Sequence, residues 1–251
     1  MQLTVLGAGP AYTNRPGATG AAYLIRSGAT AILLDLGQGS FPRLMAAVEP
    51  SDLSAVFVSH LHPDHFIDLV PLRHYLRYEF DPGRRVRVFG PSGLDDRLDC
   101  LLGQPGFSAE GLDVSALAVG SVSIDGLDGL EVEAQLVTHT QESYGFRVAP
   151  EAGARGLVYS GDCGRADDLV PLIQPGDVLL SEVSFGPGSV PQGAFHLNSA
   201  AVGELASSTG VGRVLLTHLQ MGNDERATVE AVRARFEGPV ELVEPGTQLE
   251  I

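Results

Sequence analysis

Cysteine is scarce in this chain, and so are long uninterrupted hydrophobic runs. Cys100 and Cys163 are the two cysteines among 251 residues, so no disulfide framework is indicated and we expect a reducing, cytoplasmic compartment. The chain does not begin with a basic segment followed by an apolar stretch. The longest uncharged window, between Glu182 and Glu204, is broken by prolines and glycines. We therefore expect no membrane association.

Positive charge is also in short supply. Lysine and arginine together number 16 against 31 aspartates and glutamates, which gives a formal net charge of −15 and an isoelectric point near 4.7. Surfaces that bind nucleic acids are normally basic. The charge balance therefore disfavours nucleic acid as a partner without excluding it.

Short apolar runs bounded by turn residues recur along the chain and predict twelve strands. They lie at 3–6, 21–25, 31–34, 55–58, 86–89, 130–137, 144–148, 157–159, 178–180, 214–217, 240–243 and 248–251. Helical periodicity is best in 66–78, 199–208 and 224–236, with shorter helices expected at 41–48, 93–102 and 167–173. Segment 103–129 is the least patterned, and we expect loops and a marginal hairpin there.

The order of these elements predicts an α/β architecture. Twelve strands are enough for two sheets, and two sheets packed back to back with helices outside would bury the apolar runs on both faces. No linker or low-complexity segment divides the chain, and 44% hydrophobic residues supply an extensive core. We predict a four-layer αββα sandwich in a single domain, 1–251.

Six of the seven histidines belong to one metal-binding pattern, five of them as potential ligands and the sixth, His196, as a neighbouring residue. The pattern begins directly after the apolar run 55–58, in the segment HLHPDH, with His60, His62, Asp64 and His65. His139, Asp162 and His218 each follow a later predicted strand. Side chains at strand ends can converge across the edge of a packed sheet, and imidazoles with carboxylates suit divalent ions.

Five histidines and two aspartates are too many ligands for one tetrahedral ion and about right for two. We therefore predict a dinuclear centre in which Asp162, having two carboxylate oxygens, bridges the two cations. Zinc suits the histidine-rich set, while manganese or iron would also fit a carboxylate-bridged pair.

HLHPDH followed by His139, Asp162 and His218 resembles the metallo-β-lactamase fold superfamily over nearly the whole chain. The resemblance implies that His60, His62 and His139 hold one metal and that Asp64, His65 and His218 hold the other. Within the superfamily the chain is similar to the branch of tRNA 3′-processing nucleases and phosphodiesterases. The similarity to that branch rests on the opening stretch 3–9, on Asp35-Leu36-Gly37, on the strand bearing Glu182, and on His196 before a helix.

Two departures from the nuclease branch affect the expected substrate. The segment between His139 and Asp162 is too short for a protruding arm that clamps tRNA, and Leu219 to Asn223 lacks the serine and arginine expected to contact RNA phosphate. We therefore expect a phosphodiesterase for small nucleotides, including cyclic ones, ahead of a tRNase Z-like endoribonuclease. A non-catalytic metal-binding accessory protein of the same fold is the third alternative.

The expected chemistry uses a metal-bridging hydroxide as nucleophile, because coordination lowers the pKa of water to about 7. Asp64 would also orient the attacking water, and His196, held by Glu182, would protonate the leaving alkoxide. The two divalent cations carry four positive charges, and two aspartates and a hydroxide cancel three of them. The remaining charge of about +1 suits a small anionic phosphodiester. Oligomeric state stays open, with a homodimer as one option.

Each of these residues also has an ordinary structural interpretation. A lone histidine after a strand is more often a hydrogen-bonded surface group than a ligand. Asp162 could be a turn residue, Glu182 a strand-end charge and His196 a residue at a helix entry. His74, outside the pattern, is expected to be structural, and Cys163 a small packing residue.

Overall fold

The structure is a computed structural model that describes residues 1–122 and 129–251. Fourteen strands form two sheets of seven within these residues. The first sheet contains β1 (Gln2–Gly7), β2 (Ala22–Ser27), β3 (Thr30–Leu34), β4 (Ala55–Phe57), β5 (Val86–Gly90), β6 (Leu112–Ala116) and β14 (Gln248–Glu250). The second contains β7 (Gly120–Val122), β8 (Glu131–Leu136), β9 (Tyr144–Ala149), β10 (Leu157–Tyr159), β11 (Val178–Glu182), β12 (Arg213–Thr217) and β13 (Val240–Leu242).

The two sheets share one plan of pairing. The first has the order β14-β1-β2-β3-β4-β5-β6 and the second the order β13-β12-β11-β10-β9-β8-β7. In the first, β14 to β3 pair antiparallel and β3 to β6 pair parallel. In the second, β7 to β10 pair antiparallel and β10 to β13 pair parallel. Each sheet therefore has a parallel half whose strands end at a common edge.

Six α-helices lie along the described chain: α1 (Phe41–Ala47), α2 (Pro63–Phe66), α3 (Leu69–Tyr78), α4 (Leu94–Leu102), α5 (Ser199–Thr209) and α6 (Glu225–Arg233). The longest, α5, has 11 residues, and none of the described helices has the length and apolar character to cross a bilayer.

Three apolar clusters arrange these elements into four layers. Strand residues alternate between clusters, because neighbouring side chains on a strand point to opposite faces. In β2, Tyr23 and Ile25 belong to a central cluster shared by both sheets, whereas Leu24 faces a second cluster that includes residues of α1, α3 and α4. A third cluster packs α5 and α6 on the outer face of the second sheet. The predicted αββα sandwich is confirmed.

The expected helix at 66–78 is divided by the tertiary structure. Residues 67 and 68 separate α2 from α3, because the Asp68 backbone N–H donates to the Leu36 carbonyl and its carboxylate accepts from the Phe41 N–H at 2.8 Å. Hydrogen bonds to residues distant in sequence thus replace continuous helical bonding here.

Two further expectations were wrong in part. The helix at 167–173 is a short 3-10 helix, Ala166–Leu169, because Pro171 lacks the backbone donor that a continued helix needs. Segment 103–129 contains β6 and β7, which complete the edges of the sheets by pairing with β5 and β8. Residues 123–128, which belong to the same expected segment, lie outside the described residues.

Candidate metal centre

The predicted ligands lie where strands end at one edge of the two sheets. His60 follows β4 in the first sheet, while Asp162 and His218 follow β10 and β12, which run parallel through β11 in the second. Strand β8 is antiparallel to β9, which is antiparallel to β10, so β8 points in the same direction and delivers His139. The convergence expected from the sequence is present in the structure.

The first group of ligand atoms comprises His60, His62, His139 and Asp162. Their candidate ligand atoms all lie within 4.8 Å of one another. Nε2 of His139 is 3.6 Å and Nε2 of His60 is 3.7 Å from Oδ2 of Asp162. His139 Nε2 also faces His62 Nδ1 at 3.1 Å. Three imidazoles and a carboxylate oxygen thus surround one point.

The second group comprises Asp64, His65, His218 and again Asp162, with the same 4.8 Å limit. Nε2 of His65 and of His218 lie 3.4 and 3.5 Å from Oδ1 of Asp162. His218 Nε2 is 3.1 Å from Oδ2 of Asp64. Asp162 therefore lies between the groups and turns one carboxylate oxygen toward each.

Contacts behind the imidazoles set which ring nitrogen faces the centre. His65 Nδ1 donates to Asp35 at 2.7 Å, and His139 Nδ1 donates to the Phe195 carbonyl at 2.8 Å. His218 Nδ1 lies 3.0 Å from the Ser184 hydroxyl. These partners leave the Nε2 lone pairs directed at the cluster, as hydrogen bonds behind metal-binding histidines generally do.

Three buried atoms at this centre have no hydrogen-bond partner among the described residues: His60 Nε2, His65 Nε2 and Asp162 Oδ1. A buried polar atom without a partner costs about 1–3 kcal/mol, so such atoms call for an explanation. All three face the two groups described above, and imidazole nitrogen and carboxylate oxygen are ligands of borderline divalent cations. A divalent cation therefore fits this donor set.

The histidine pKa values shift in opposite directions in the two groups of ligands. Burial lowers the pKa of His60 well below its usual value, helped by its histidine neighbours, and burial also lowers the pKa of His62 and of His139. In the second group, burial is the strongest influence and opposes charge on His65 and His218, but the neighbouring carboxylates together outweigh it and raise the pKa of both. These carboxylates are Asp162 with Asp35 for His65, and Asp162 with Asp64 for His218. Burial disfavours the charged form of Asp162 too, yet His218 and His65 hold its pKa well below the usual range.

Glu182 and His196 form a buried pair beside the centre. Glu182, at the end of β11, is fully buried, and its Oε1 accepts from His196 Nδ1 at 2.9 Å. The same carboxylate accepts from the Cys163 N–H at 2.9 Å and the Ser184 N–H at 3.1 Å. Burial opposes charge on His196, but the hydrogen bond to Glu182, together with the negative charges of Glu182 and Asp162, outweighs burial and raises the pKa of His196. With Nδ1 engaged, Nε2 is the nitrogen available to a substrate.

A cleft of about 310 Å³ opens over the centre. Its lining includes Tyr12 and Gln220 together with the candidate site residues His62, Asp64, Asp162, His196 and His218. The Tyr12 side chain is 73% exposed. The cleft thus brings two candidate catalytic groups, Asp64 and His196, together with several candidate ligands.

Asp35 and Ser184 are site residues whose roles the sequence did not reveal. Asp35 is fully buried, and its carboxylate accepts from His65, Tyr159 and both the N–H and hydroxyl of Ser59. Asp35 and His218 are the non-glycine residues with positive φ in the described part of the chain, at 57° and 56°. Such backbone often occurs at functional sites. The position of Asp35 directly after β3 was the available signal.

The two remaining expectations concern residues outside the ligand set. His74 lies on α3, where its Nδ1 bonds the Val70 carbonyl and its ring contacts Phe107 and Tyr78. Cys163 is buried and burial raises its pKa, so its thiol is held in the unreactive protonated form. Both residues have the packing contacts expected of structural groups.

Residues 30–219 match the family model of the beta-lactamase superfamily domain. The chain belongs to this superfamily. Its relatives include uncharacterized protein ML1173 of Mycobacterium leprae, 32% identical over 259 residues, with 100% of this chain and 89% of that protein covered. Probable metallo-hydrolase YhfI of Bacillus subtilis is 28% identical over 255 residues, with 98% of each covered. Ribonuclease Z of Natronomonas pharaonis is 24% identical over 273 residues, with 87% of each covered.

Solved structures of other proteins share the architecture. The crystal structure of YhfI matches with a TM-score of 0.86 at 24% identity and covers 100% of this chain and 99% of YhfI. The short form of human tRNase Z gives 0.74 at 22% identity, covering 100% and 99%. A diphosphatase from the PhnP family gives 0.75 at 15% identity, covering 100% and 97%. At these identities the likeness shows the fold alone, and it confirms the predicted resemblance to the metallo-β-lactamase fold.

Proposed function

We propose that this superfamily member is a dinuclear metal-dependent hydrolase that cleaves phosphodiester bonds in small nucleotides, cyclic nucleotides included. The observation that carries the proposal is the position of Asp162 between two groups of ligand atoms, with one carboxylate oxygen facing each. One cation would be held by His60, His62 and His139, and the other would be held by Asp64, His65 and His218. Asp162 would bind both cations. The histidine-rich donor set favours zinc.

The bound cations would lower the pKa of water and polarise the phosphoryl oxygen. Asp64 lines the cleft and would orient the attacking water through a carboxylate oxygen. His196 would donate the proton at Nε2 to the leaving oxygen, because Glu182 holds its Nδ1 and thereby sets the direction of the ring. Ser184, through His218 Nδ1, would keep His218 in the orientation that faces Asp162.

The names of the relatives support a substrate with phosphorus–oxygen bonds. YhfI is called a probable metallo-hydrolase. The Natronomonas pharaonis relative is a ribonuclease Z, and the PhnP-family structure is that of a diphosphatase. Precursor tRNA is the second candidate substrate because of the ribonuclease Z relative. The segment between His139 and Asp162 is occupied by β9, β10 and their short connections, which leaves no arm for clamping a tRNA. The net charge of −15 also favours a small substrate.

The test is a substrate panel with two matched histidine variants. Metal-loaded protein is expected to cleave bis(p-nitrophenyl) phosphate and small nucleotide phosphodiesters faster than precursor tRNA. His196→Ala should lower kcat by about 10² to 10⁴, the contribution of a positioned acid, with metal content unchanged. His74→Ala should leave kcat unchanged, because His74 lies on α3 outside the cleft.

Four outcomes would contradict the proposal or a part of it. Preferred cleavage of precursor tRNA would favour the endoribonuclease, and metal binding without cleavage of any phosphodiester would favour the accessory protein. Elemental analysis that finds one cation per chain would remove the dinuclear part. Equal kcat in wild type and His196→Ala would remove the role of that histidine.

A further inference from the structure

A second cleft of about 490 Å³ adjoins the one over the candidate metal centre. Its lining includes Ser92, Arg97, Thr140 and Glu142, together with His62. His62 lines both clefts, and Thr140 directly follows the candidate ligand His139. A ligand whose reacting group lies at the metal centre can therefore extend past His62 into this second cleft.

Arg97 supplies a positive charge to the second cleft. It lies on α4 and is exposed, and its guanidinium forms no ion pair or side-chain hydrogen bond with residues 1–122 and 129–251. By contrast, the Arg147 guanidinium forms two hydrogen bonds to the Asp177 carboxylate. A free guanidinium presents a fork of N–H donors that matches phosphate and carboxylate oxygens. Arg97 is thus available to an anionic group of a ligand.

Glu142 is the opposing charge in the same cleft. One of its carboxylate oxygens accepts from the Ser92 N–H at 2.5 Å and the other from the Ser92 hydroxyl at 3.1 Å. These bonds hold Glu142 to the segment before α4. The negative charge remains, so Arg97 attracts and Glu142 repels an anion that enters the cleft.

We propose that Arg97 determines substrate specificity by binding a second anionic group, so that the preferred substrates are phosphodiesters that also carry a terminal phosphate. This inference rests on the proposed function, and it narrows the substrate class. A cyclic mononucleotide has one phosphate and would leave Arg97 unused. A phosphorylated dinucleotide would place its diester at the metal centre and its terminal phosphate at Arg97.

The experiment compares one dinucleotide with and without a 5′-phosphate. In the wild type, the phosphorylated form is expected to have a KM about fivefold lower, the upper end of what one exposed ion pair gives. Arg97→Gln should abolish that difference while leaving kcat, and the hydrolysis of bis(p-nitrophenyl) phosphate, within about twofold of wild type. Arg155→Gln is the matched control, because Arg155 precedes β10 at the end opposite Asp162.

Glu142→Gln is expected to change the KM for the phosphorylated dinucleotide in the opposite direction from Arg97→Gln. The amide oxygen can still accept from Ser92 while the negative charge is removed, so KM for the phosphorylated dinucleotide should fall below the wild-type value. If either residue had a purely structural role, the two substitutions would not change KM in opposite directions for the phosphorylated substrate alone. Raised salt should reduce the preference in the wild type, because the contact is exposed to solvent.

Calorimetric binding of the two dinucleotides separates failure of this inference from failure of the proposed function. Equal KM and equal affinity for both forms would overturn the role of Arg97 even if bis(p-nitrophenyl) phosphate is hydrolysed. An equal loss in Arg97→Gln and Arg155→Gln would overturn it as well. Tighter binding of the phosphorylated form that depends on Arg97, without hydrolysis of any diester, would support the subsite and reject the hydrolase.

Discussion

Asp35 shows how one buried carboxylate can organise a site without touching the cleft. Its two oxygens accept four hydrogen bonds, two of them from Ser59 and one each from His65 and Tyr159. These partners come from the loop after β4, from α2 and from β10, so Asp35 ties both sheets to the orientation of His65. Burial of a charge is tolerated when its hydrogen-bonding capacity is filled in this way.

We expect Asp35→Asn to weaken cation binding. In the wild type, hydrogen-bond donors face both carboxylate oxygens of Asp35. In the variant, the amide N–H group replaces one of these oxygens and faces a donor, so His65 loses its fixed orientation. Loss of such a partner behind a ligand typically costs about 10- to 100-fold in metal affinity. Competition with a chromogenic chelator measures the affinity.

Tyr159→Phe is the control for Asp35→Asn. It removes one of the four hydrogen bonds and should cost about 1.5 to 3 kcal/mol of unfolding free energy, as loss of a bond to a charged group does, with the metal affinity retained. Unchanged affinity in Asp35→Asn, in a variant that still folds, would contradict the orienting role.

At the scale of elements, the segment that carries HLHPDH is held by a close backbone approach. The Ala21 N–H donates to the Asp64 carbonyl, and Gly37 passes the same carbonyl so closely that an added Cβ would lie 1.8 Å from its oxygen. Only glycine permits this approach. The loop after β3 and the N-terminus of β2 thus fix the first turn of α2, where Asp64 and His65 lie.

Gly37→Ala is therefore expected to displace Asp64 by more than about 1 Å and to lower kcat/KM by about 10², the typical effect of such a misplacement. Hydrolysis of bis(p-nitrophenyl) phosphate measures the loss. Gly188→Ala is the control, since its added Cβ meets one atom, the Phe185 carbonyl oxygen, at 3.2 Å in an exposed loop. Similar kcat/KM in the two variants would show that the approach at Gly37 does not position the site.

At the scale of the whole molecule, the candidate centre joins the two sheets. The first sheet leads into His60, His62, Asp64 and His65, and the second supplies His139, Asp162 and His218. A cation bound by both sets would connect halves of the sandwich that are otherwise held together by the central apolar cluster. Cation binding should therefore stabilise the fold.

We expect zinc at one hundred times its Kd to stabilise the wild type by about 2.7 kcal/mol, a rise in Tm of about 5 to 10 °C for a chain of this size. Chelation should reverse the rise. Asp162→Asn should show less than half of it, because Asp162 belongs to both ligand groups. Thermal unfolding followed by circular dichroism measures both proteins, and an equal rise in the two would contradict the shared role of Asp162.

The sequence by itself determined the layers and the identities of the candidate ligands. Strand runs were readable because alternating apolar residues reflect local backbone geometry, and each candidate ligand directly follows such a run. The weakest predictions were at 66–78, 103–129 and 167–173, where bonding to distant segments, edge pairing or a proline outweighs local periodicity.

Only the tertiary structure decided which atoms face one another. The division of the Asp162 oxygens between two groups, the support of His65 by Asp35, and the cleft that joins His62 to Arg97 all depend on contacts between segments far apart in the chain. Such contacts follow from the order in which the strands pair, and pairing order is a non-local property that leaves no periodic signal in the amino-acid sequence.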